Sequence, residues 1–134
     1  MTPRFLLDTN IVSDLVRRPQ GKAATRALVL DPDQIRTSII VAAELRFGSA
    51  KLGSSRLTTQ LEAVLSVIEI VPWAAPADTR YGILRAELER TGQVIGANDM
   101  LIAAHALTLG CTLVTDNERE FARVPGLEIV NWLR

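Results

Sequence analysis

Three features of the 134-residue sequence predict an α/β fold, a parallel sheet with helices on both faces. Short apolar runs alternate with segments of helical periodicity. Two acids, Asp8 and Asp116, each follow such a run directly, and parallel sheets bind ligands beyond the carboxyl ends of their strands. A chain of this length, 48% hydrophobic and 22% charged, forms one globular domain, spanning residues 1–134, with a core of its own.

The elements follow in order. Phe5-Leu6-Leu7 reads as a buried strand. Asp8-Thr9-Asn10 then offers caps for a helix from Ile11 to Arg18. Pro19-Gln20-Gly21 breaks the chain before a second helix, Lys22 to Leu30, stopped by Asp31-Pro32-Asp33. Ile35-Arg36-Thr37 reads as the next strand. Ser38 caps a helix over Ile39 to Lys51, ended by Gly53. Leu57, Leu61, Val64 and Leu65 place a helix over Ser54 to Ser66. Val67 to Val71 is a short strand closed by Pro72. Pro76-Ala77-Asp78 opens a long helix to Arg90, and Thr91-Gly92 ends it. Asn98 caps the most apolar helix, Asp99 to Leu109, ended by Gly110. Cys111 to Thr115 is a strand, Asn117 to Arg123 a short helix, and Leu127 to Val130 the last strand.

Composition narrows the function. The single cysteine, Cys111, excludes an internal disulfide and a Cys-rich zinc site, and suits a reducing, cytoplasmic setting. No apolar run reaches the roughly 20 residues of a membrane span, and the amino terminus lacks the pattern of a signal peptide. Fifteen bases balance fifteen acids, so net charge does not mark a nucleic-acid binder. Thirteen of those bases are arginine, which suits phosphate and carboxylate partners and equally a GC-rich genome.

Four acids stand among apolar neighbours: Asp8 after Phe-Leu-Leu, Glu44 after Val41-Ala42-Ala43, Asp99 before Met100-Leu101-Ile102, and Asp116 after Leu113-Val114-Thr115. Glu44 falls on one helical stripe with Ile40, Ala43 and Phe47, and Asp99 with Ile102, Ala103 and Ala106, so both are expected to lean toward packed surface. Taken singly, each acid is equally a helix cap, a first-turn acid, a turn residue or a surface ion-pair partner. Together at one sheet edge they would repel and raise one another's pKa. A hard divalent cation, Mg²⁺ or Mn²⁺, resolves that conflict with oxygen ligands alone. His105, the one histidine, has no partner for zinc and is expected to be structural.

These residues also carry a resemblance. Leu6-Leu7-Asp8-Thr9-Asn10 resembles the opening of PIN-domain nucleases. Thr37-Ser38-Ile39 through Ala43-Glu44-Leu45-Arg46-Phe47-Gly48 resembles their second motif, and Gly96-Ala97-Asn98-Asp99-Met100-Leu101-Ile102-Ala103-Ala104-His105-Ala106 their third. Thr112-Leu113-Val114-Thr115-Asp116-Asn117 with Glu120-Phe121 and the closing Leu127 to Trp132 resembles the last. Tyr81 to Leu88 and the length further match VapC-type toxins of bacterial toxin–antitoxin pairs. The resemblance implies a five-stranded parallel sheet and a Mg²⁺-dependent endoribonuclease, with metal ligands at Asp8 and Asp99. Glu44 and Asp116 would complete the pocket, with Glu120 supporting from behind. Thr9, Asn10 and Thr115 would hold waters, carboxylates or phosphate. The products would carry a 5′ phosphate and a 3′ hydroxyl. The resemblance also implies a homodimer and a VapB-type antitoxin that neutralises the toxin. Trp73 is then either an exposed anchor or a core residue.

Setting the four pocket acids aside leaves eleven against fifteen bases, a surface of net +4, with Arg17, Arg18, Arg46 and Arg119 as rim candidates. A haloacid-dehalogenase-like phosphatase would need an aspartate where Asn10 stands, and a suitably placed lysine. An RNA-processing or DNA-directed nuclease of the same fold, and a catalytically silent binding module, are the remaining alternatives.

Overall fold

The computed structural model describes residues 2–134. Five parallel strands form one sheet in the order β3-β2-β1-β4-β5: β1 (Phe5–Leu7), β2 (Ile35–Ser38), β3 (Glu69–Val71), β4 (Thr112–Val114) and β5 (Ile129–Val130). The helices are α1 (Thr9–Arg17), α2 (Lys22–Leu28), α3 (Ile39–Leu52), α4 (Ser55–Leu65), α5 (Ala77–Arg90), α6 (Ala97–Leu109) and α7 (Glu118–Phe121). Leu6 and Leu7 in β1, and Leu113 and Val114 in β4, are all fully buried. Successive strand side chains point to opposite faces, so the sheet is covered on both. Edge strand β3 exposes Glu69, which pairs with Arg36 of β2 at 3.0 Å.

Several expected boundaries shift. Ser38 caps its helix as expected, accepting from the Ile40 amide, whereas Ser54, read as the first helical residue, stands one place before α4 and caps it, accepting from the Leu57 amide. Helices α3 and α6 end at Gly53 and Gly110, both at positive φ, where a side chain would crowd the following carbonyl. Helix α2 stops at Leu28 rather than Leu30, and β3 starts at Glu69 rather than Val67; Leu28, Val29 and Val67 face solvent. Asn98 does not cap α6. The extended backbone of Gly96 takes that place, its carbonyl accepting from the Met100 amide at 2.9 Å, so α6 starts at Ala97 and Asp99 lies inside the first turn. Trp73 is half-buried, donates to the Leu101 carbonyl at 2.9 Å and meets Tyr81 edge-on, so it packs on its own fold.

The helical stripe expected of Glu44 is corrected. Val41 and Ala42 face the core, while Ala43 is exposed and Phe47 is 68% exposed. Glu44 therefore lies at the margin between core and solvent. For Asp99 the expectation holds: Ile102, Ala103 and Ala106 are all fully buried.

Truncating Leu113 to Ala should cost about 2–5 kcal/mol of unfolding free energy, because it empties a fully buried site between two layers. Phe47→Ser should change it by less than about 0.5 kcal/mol at low protein concentration. Denaturant melts of both variants check the pair. A larger loss at Phe47 than at Leu113 would contradict the packing described.

Candidate active site at the sheet switch point

Strand order reverses between β1 and β4, since β2 and β3 extend to one side and β5 to the other. Such reversals leave a crevice at the carboxyl ends of the strands. Asp8 follows β1 there, its amide donating to the Val114 carbonyl at 2.9 Å. It occupies the cap position of α1, yet its side chain makes no cap hydrogen bond. Instead its Oδ2 accepts from the Thr115 hydroxyl at 2.7 Å and from the Asn10 amide at 3.4 Å. No side-chain donor reaches Oδ1 among the described residues. Asp8 is only 3% exposed, and burial pushes its pKa up. The Thr115 hydrogen bond opposes the rise and the charge of Glu44 adds to it.

Glu44 comes from the second turn of α3 and accepts from the Thr9 hydroxyl at 3.1 Å. The start of α3 is anchored from below. Ser38, fully buried, accepts from the Ile40 amide at 3.1 Å, and its hydroxyl lies 2.8 Å from His105 Nδ1. His105 is buried on α6 and plays the structural part expected of it. Burial lowers its pKa, against the Pro72 carbonyl, which supports the protonated ring.

Asp99 arrives from the first turn of α6, beside the unpaired amides of a helix start, a favourable place for an anion. Its Oδ2 lies 3.5 Å from where a side chain on Gly96 would begin, so the carboxyl folds back over that start. Its pKa is pushed up to about 7, first by burial, then by a hydrogen bond shared with Glu120 and by the charges of Asp8, Glu120 and Glu44. Asn117 Nδ2 bridges the pair, 3.4 Å from Asp99 and 3.3 Å from Glu120. Its amide donates to the Thr115 hydroxyl at 2.9 Å, which in turn donates to Asp8. One loop after β4 thus orients three of the acids.

The pocket acids are therefore Asp8, Glu44, Asp99 and Glu120. Asp116, expected among them, is exposed on the rim. Its carboxylate accepts from Asn131 Nδ2 at 2.9 Å, and its amide donates to Asn10 Oδ1 at 2.9 Å. Glu120 takes the inner place because Phe121, fully buried, fixes the short helix α7 with Glu120 three residues beyond Asn117. The order Asn117, Glu120, Phe121 carried that signal, a polar pair at helical spacing beside an aromatic anchor. Asn131 was missed too: it is a lone amide between Val130 and Trp132, and it holds both Asp116 and Glu118.

Among the described residues, no lysine or arginine forms an ion pair with the four pocket acids. Nor do three acids, histidines or cysteines there close into a ready-made cage. The donor set, oxygen only and short of positive charge, fits a hard cation that keeps several waters. Asp8 and Asp99 are the residues that would hold it.

Fold and pocket together define a class, and the sequence agrees with it. A PIN-domain family model matches residues 5–127, and the chain belongs to that family. Within it, the chain belongs with the VapC proteins. It is 40% identical to ribonuclease VapC2 of Rickettsia felis over 96% of this chain and 97% of that one. It is 35% identical to the tRNA(fMet)-specific endonuclease VapC of Shigella flexneri, over 96% and 98%. Among solved structures, DNA-bound VapBC from Salmonella typhimurium superposes with a TM-score of 0.91 at 32% identity, covering 98% of this chain and 99% of that one. VapBC2 of Rickettsia felis, bound to a promoter fragment, gives 0.87 at 38%, covering 96% and 98%.

The raised Asp99 pKa predicts a pH dependence. Its folded value lies above the unfolded one, near 4, so its contribution to stability is full below about pH 4 and is lost as pH rises through about 7. Metal-free protein should melt at a lower temperature at pH 8 than at pH 5, and Asp99→Asn should shrink that difference and stabilise the protein at pH 8. Thermal melts in chelator at the two pH values check this. A variant less stable than the parent at pH 8 would mean that the crowding of charge is absent.

Proposed function

We propose that this protein is a Mg²⁺-dependent endoribonuclease toxin, neutralised by a cognate VapB-type antitoxin. One observation carries the reading: a partly buried acidic cluster around the buried Asp8, with no cation of its own, at the sheet switch point of a chain that belongs with the VapC ribonucleases. A divalent ion bound there, Mg²⁺ or Mn²⁺, would supply a Lewis acid for the phosphoryl oxygen and an activated water for attack. The chain's own residues prepare the place. Thr115 and Asn10 hold one oxygen of Asp8. Thr9 orients Glu44, whose carboxylate at the core margin is placed to accept a proton from an attacking water. Asn117 donates to both Asp99 and Glu120 and keeps the two carboxyls in register.

Two surfaces support the partners. A groove of about 520 Å³ is lined by Leu15, Ala24, Leu28, Val64 and Val67 and is almost entirely apolar. It suits the apolar face of an amphipathic antitoxin segment. Phe47 and Leu52 on α3 and Ile83 on α5 are each about two-thirds exposed, and they suit a second copy of the chain in a homodimer. The Rickettsia and Salmonella relatives were crystallised as VapBC complexes, which supports the antitoxin assignment. The Shigella relative is named for tRNA(fMet), which makes tRNA the first RNA to assay. No helix among the described residues is long and apolar enough to cross a membrane.

Purified protein should cleave RNA with Mg²⁺ or Mn²⁺ and not in chelator, and Asp8→Asn or Asp99→Asn should lower the rate at least about 100-fold. Glu120→Gln should lower it more than Asp116→Asn, because only Glu120 faces the pocket. Gel assays with tRNA and with an unstructured RNA read all four variants, and full activity in chelator would rule out the metal. In cells, expression alone should arrest growth, and co-expression of the cognate antitoxin should restore it. Unimpaired growth with intact protein present would count against the toxin role.

A further inference from the structure

A pocket lined with carboxylates repels the phosphates it has to cleave, so attraction must come from cations nearby. Two of the four rim arginines expected from sequence are held by acids. Arg46 is held by both oxygens of Glu62, at 3.0 and 2.9 Å, and Arg18 by Asp14 at 2.6 Å. The remaining charge is concentrated elsewhere. Residues 15–30 contain no acid, and besides the paired Arg18 they carry Arg17, Lys22 and Arg26. Beside α2 they form a shallow groove of about 610 Å³, lined by Gln20, Lys22, Thr25, Arg26 and Arg134 among others, and again without an acid. A second groove, between the end of α1 and the start of α4, is lined by Arg17, Arg56, Ser54 and Gln60 and also lacks acids.

The groove beside α2 is joined to the pocket rim by an unbroken chain of contacts. Asp116 and Glu118 are both held by Asn131, Glu118 pairs with Arg134 at 3.0 Å, and the main-chain oxygen of Arg134 accepts from Arg26 at 3.3 Å. Glu118 largely offsets Arg134, so the uncompensated cations are Lys22 and Arg26. Neither pairs with an aspartate or glutamate among the described residues.

We propose that this groove, through Lys22 and Arg26, binds the backbone of a single-stranded segment of the RNA substrate as it leaves the acidic pocket past the Asp116 loop. The inference rests on the ribonuclease reading and adds the path of the substrate. Lysine and arginine ends meet phosphates without reading bases, so the groove supplies affinity and register and leaves sequence choice to other contacts.

The test pairs binding with cleavage. In an Asp99→Asn background, which stops turnover, a fluorescein-labelled single-stranded RNA is titrated by anisotropy between about 50 and 200 mM salt. Lys22→Ala/Arg26→Ala should weaken binding several-fold and flatten the plot of log affinity against log salt by about 1.4, two phosphate contacts at roughly 0.7 each. Lys51→Ala/Arg80→Ala, which removes two exposed cations outside the groove, should leave the slope unchanged. With the pocket intact, the groove variant should raise KM on a long RNA and leave kcat nearly constant. An unchanged slope and KM would overturn the proposal, as would a variant that loses only antitoxin binding, which would assign the surface to an acidic protein. Binding is read without cleavage, so failure of the ribonuclease reading would show separately, as absence of turnover by the intact pocket.

Discussion

Asp8 keeps a carboxylate at the floor of a cleft with almost no exposure and no basic side chain beside it, and much of the surrounding architecture answers to that burden. Burying an ionised group without a partner costs far more than one ordinary hydrogen bond returns. The fold meets the cost with dipoles. The Thr115 hydroxyl and Asn10 amide converge on one oxygen, and the Asn117 amide steadies Thr115 in turn. Neutral donors lower the cost without cancelling the charge, so the site remains attractive to a cation. An arginine in the same place would have stabilised the protein and closed the pocket.

The same logic explains why the acids arrive from four separate elements. Asp8 ends β1, Glu44 rides on α3, Asp99 opens α6 and Glu120 lies on α7. Only the carboxyl edge of a parallel sheet at its reversal point lets a strand end and three helices meet there. Each is then fixed by contacts outside the pocket: Ser38 and His105 beneath α3, Gly96 at the start of α6, Phe121 and Asn131 behind the last loop. Moving any of these anchors would displace a carboxylate without touching it.

Charge is segregated although the chain as a whole is neutral. Most arginines on α3 to α5 are tied to neighbouring glutamates, as in Arg46–Glu62, Arg85–Glu89 and Arg90–Glu87. These exposed pairs add little stability, but they silence the surface around them. The negative pocket and the acid-free stretch around α2 are left unbalanced, and contacts through Asn131 and Arg134 join them.

Much of this was written in the chain itself. The buried strands, the serine caps at Ser38 and Ser54 and the glycine stops at Gly53 and Gly110 follow from local chemistry, which needs only neighbours in sequence. Asp8, Glu44 and Asp99 were legible because an acid among apolar residues must be satisfied by something. Tertiary structure decided what depends on distant contacts. Gly96 rather than Asn98 caps α6, and Phe47 faces solvent although it shares a helical stripe with Glu44, because a stripe has no inside until another element packs against it. The choice between Asp116 and Glu120 was of this kind. Both acids belong to one short segment, and only the pull of Asn131 on Asp116 and the burial of Phe121 turn the first outward and the second in.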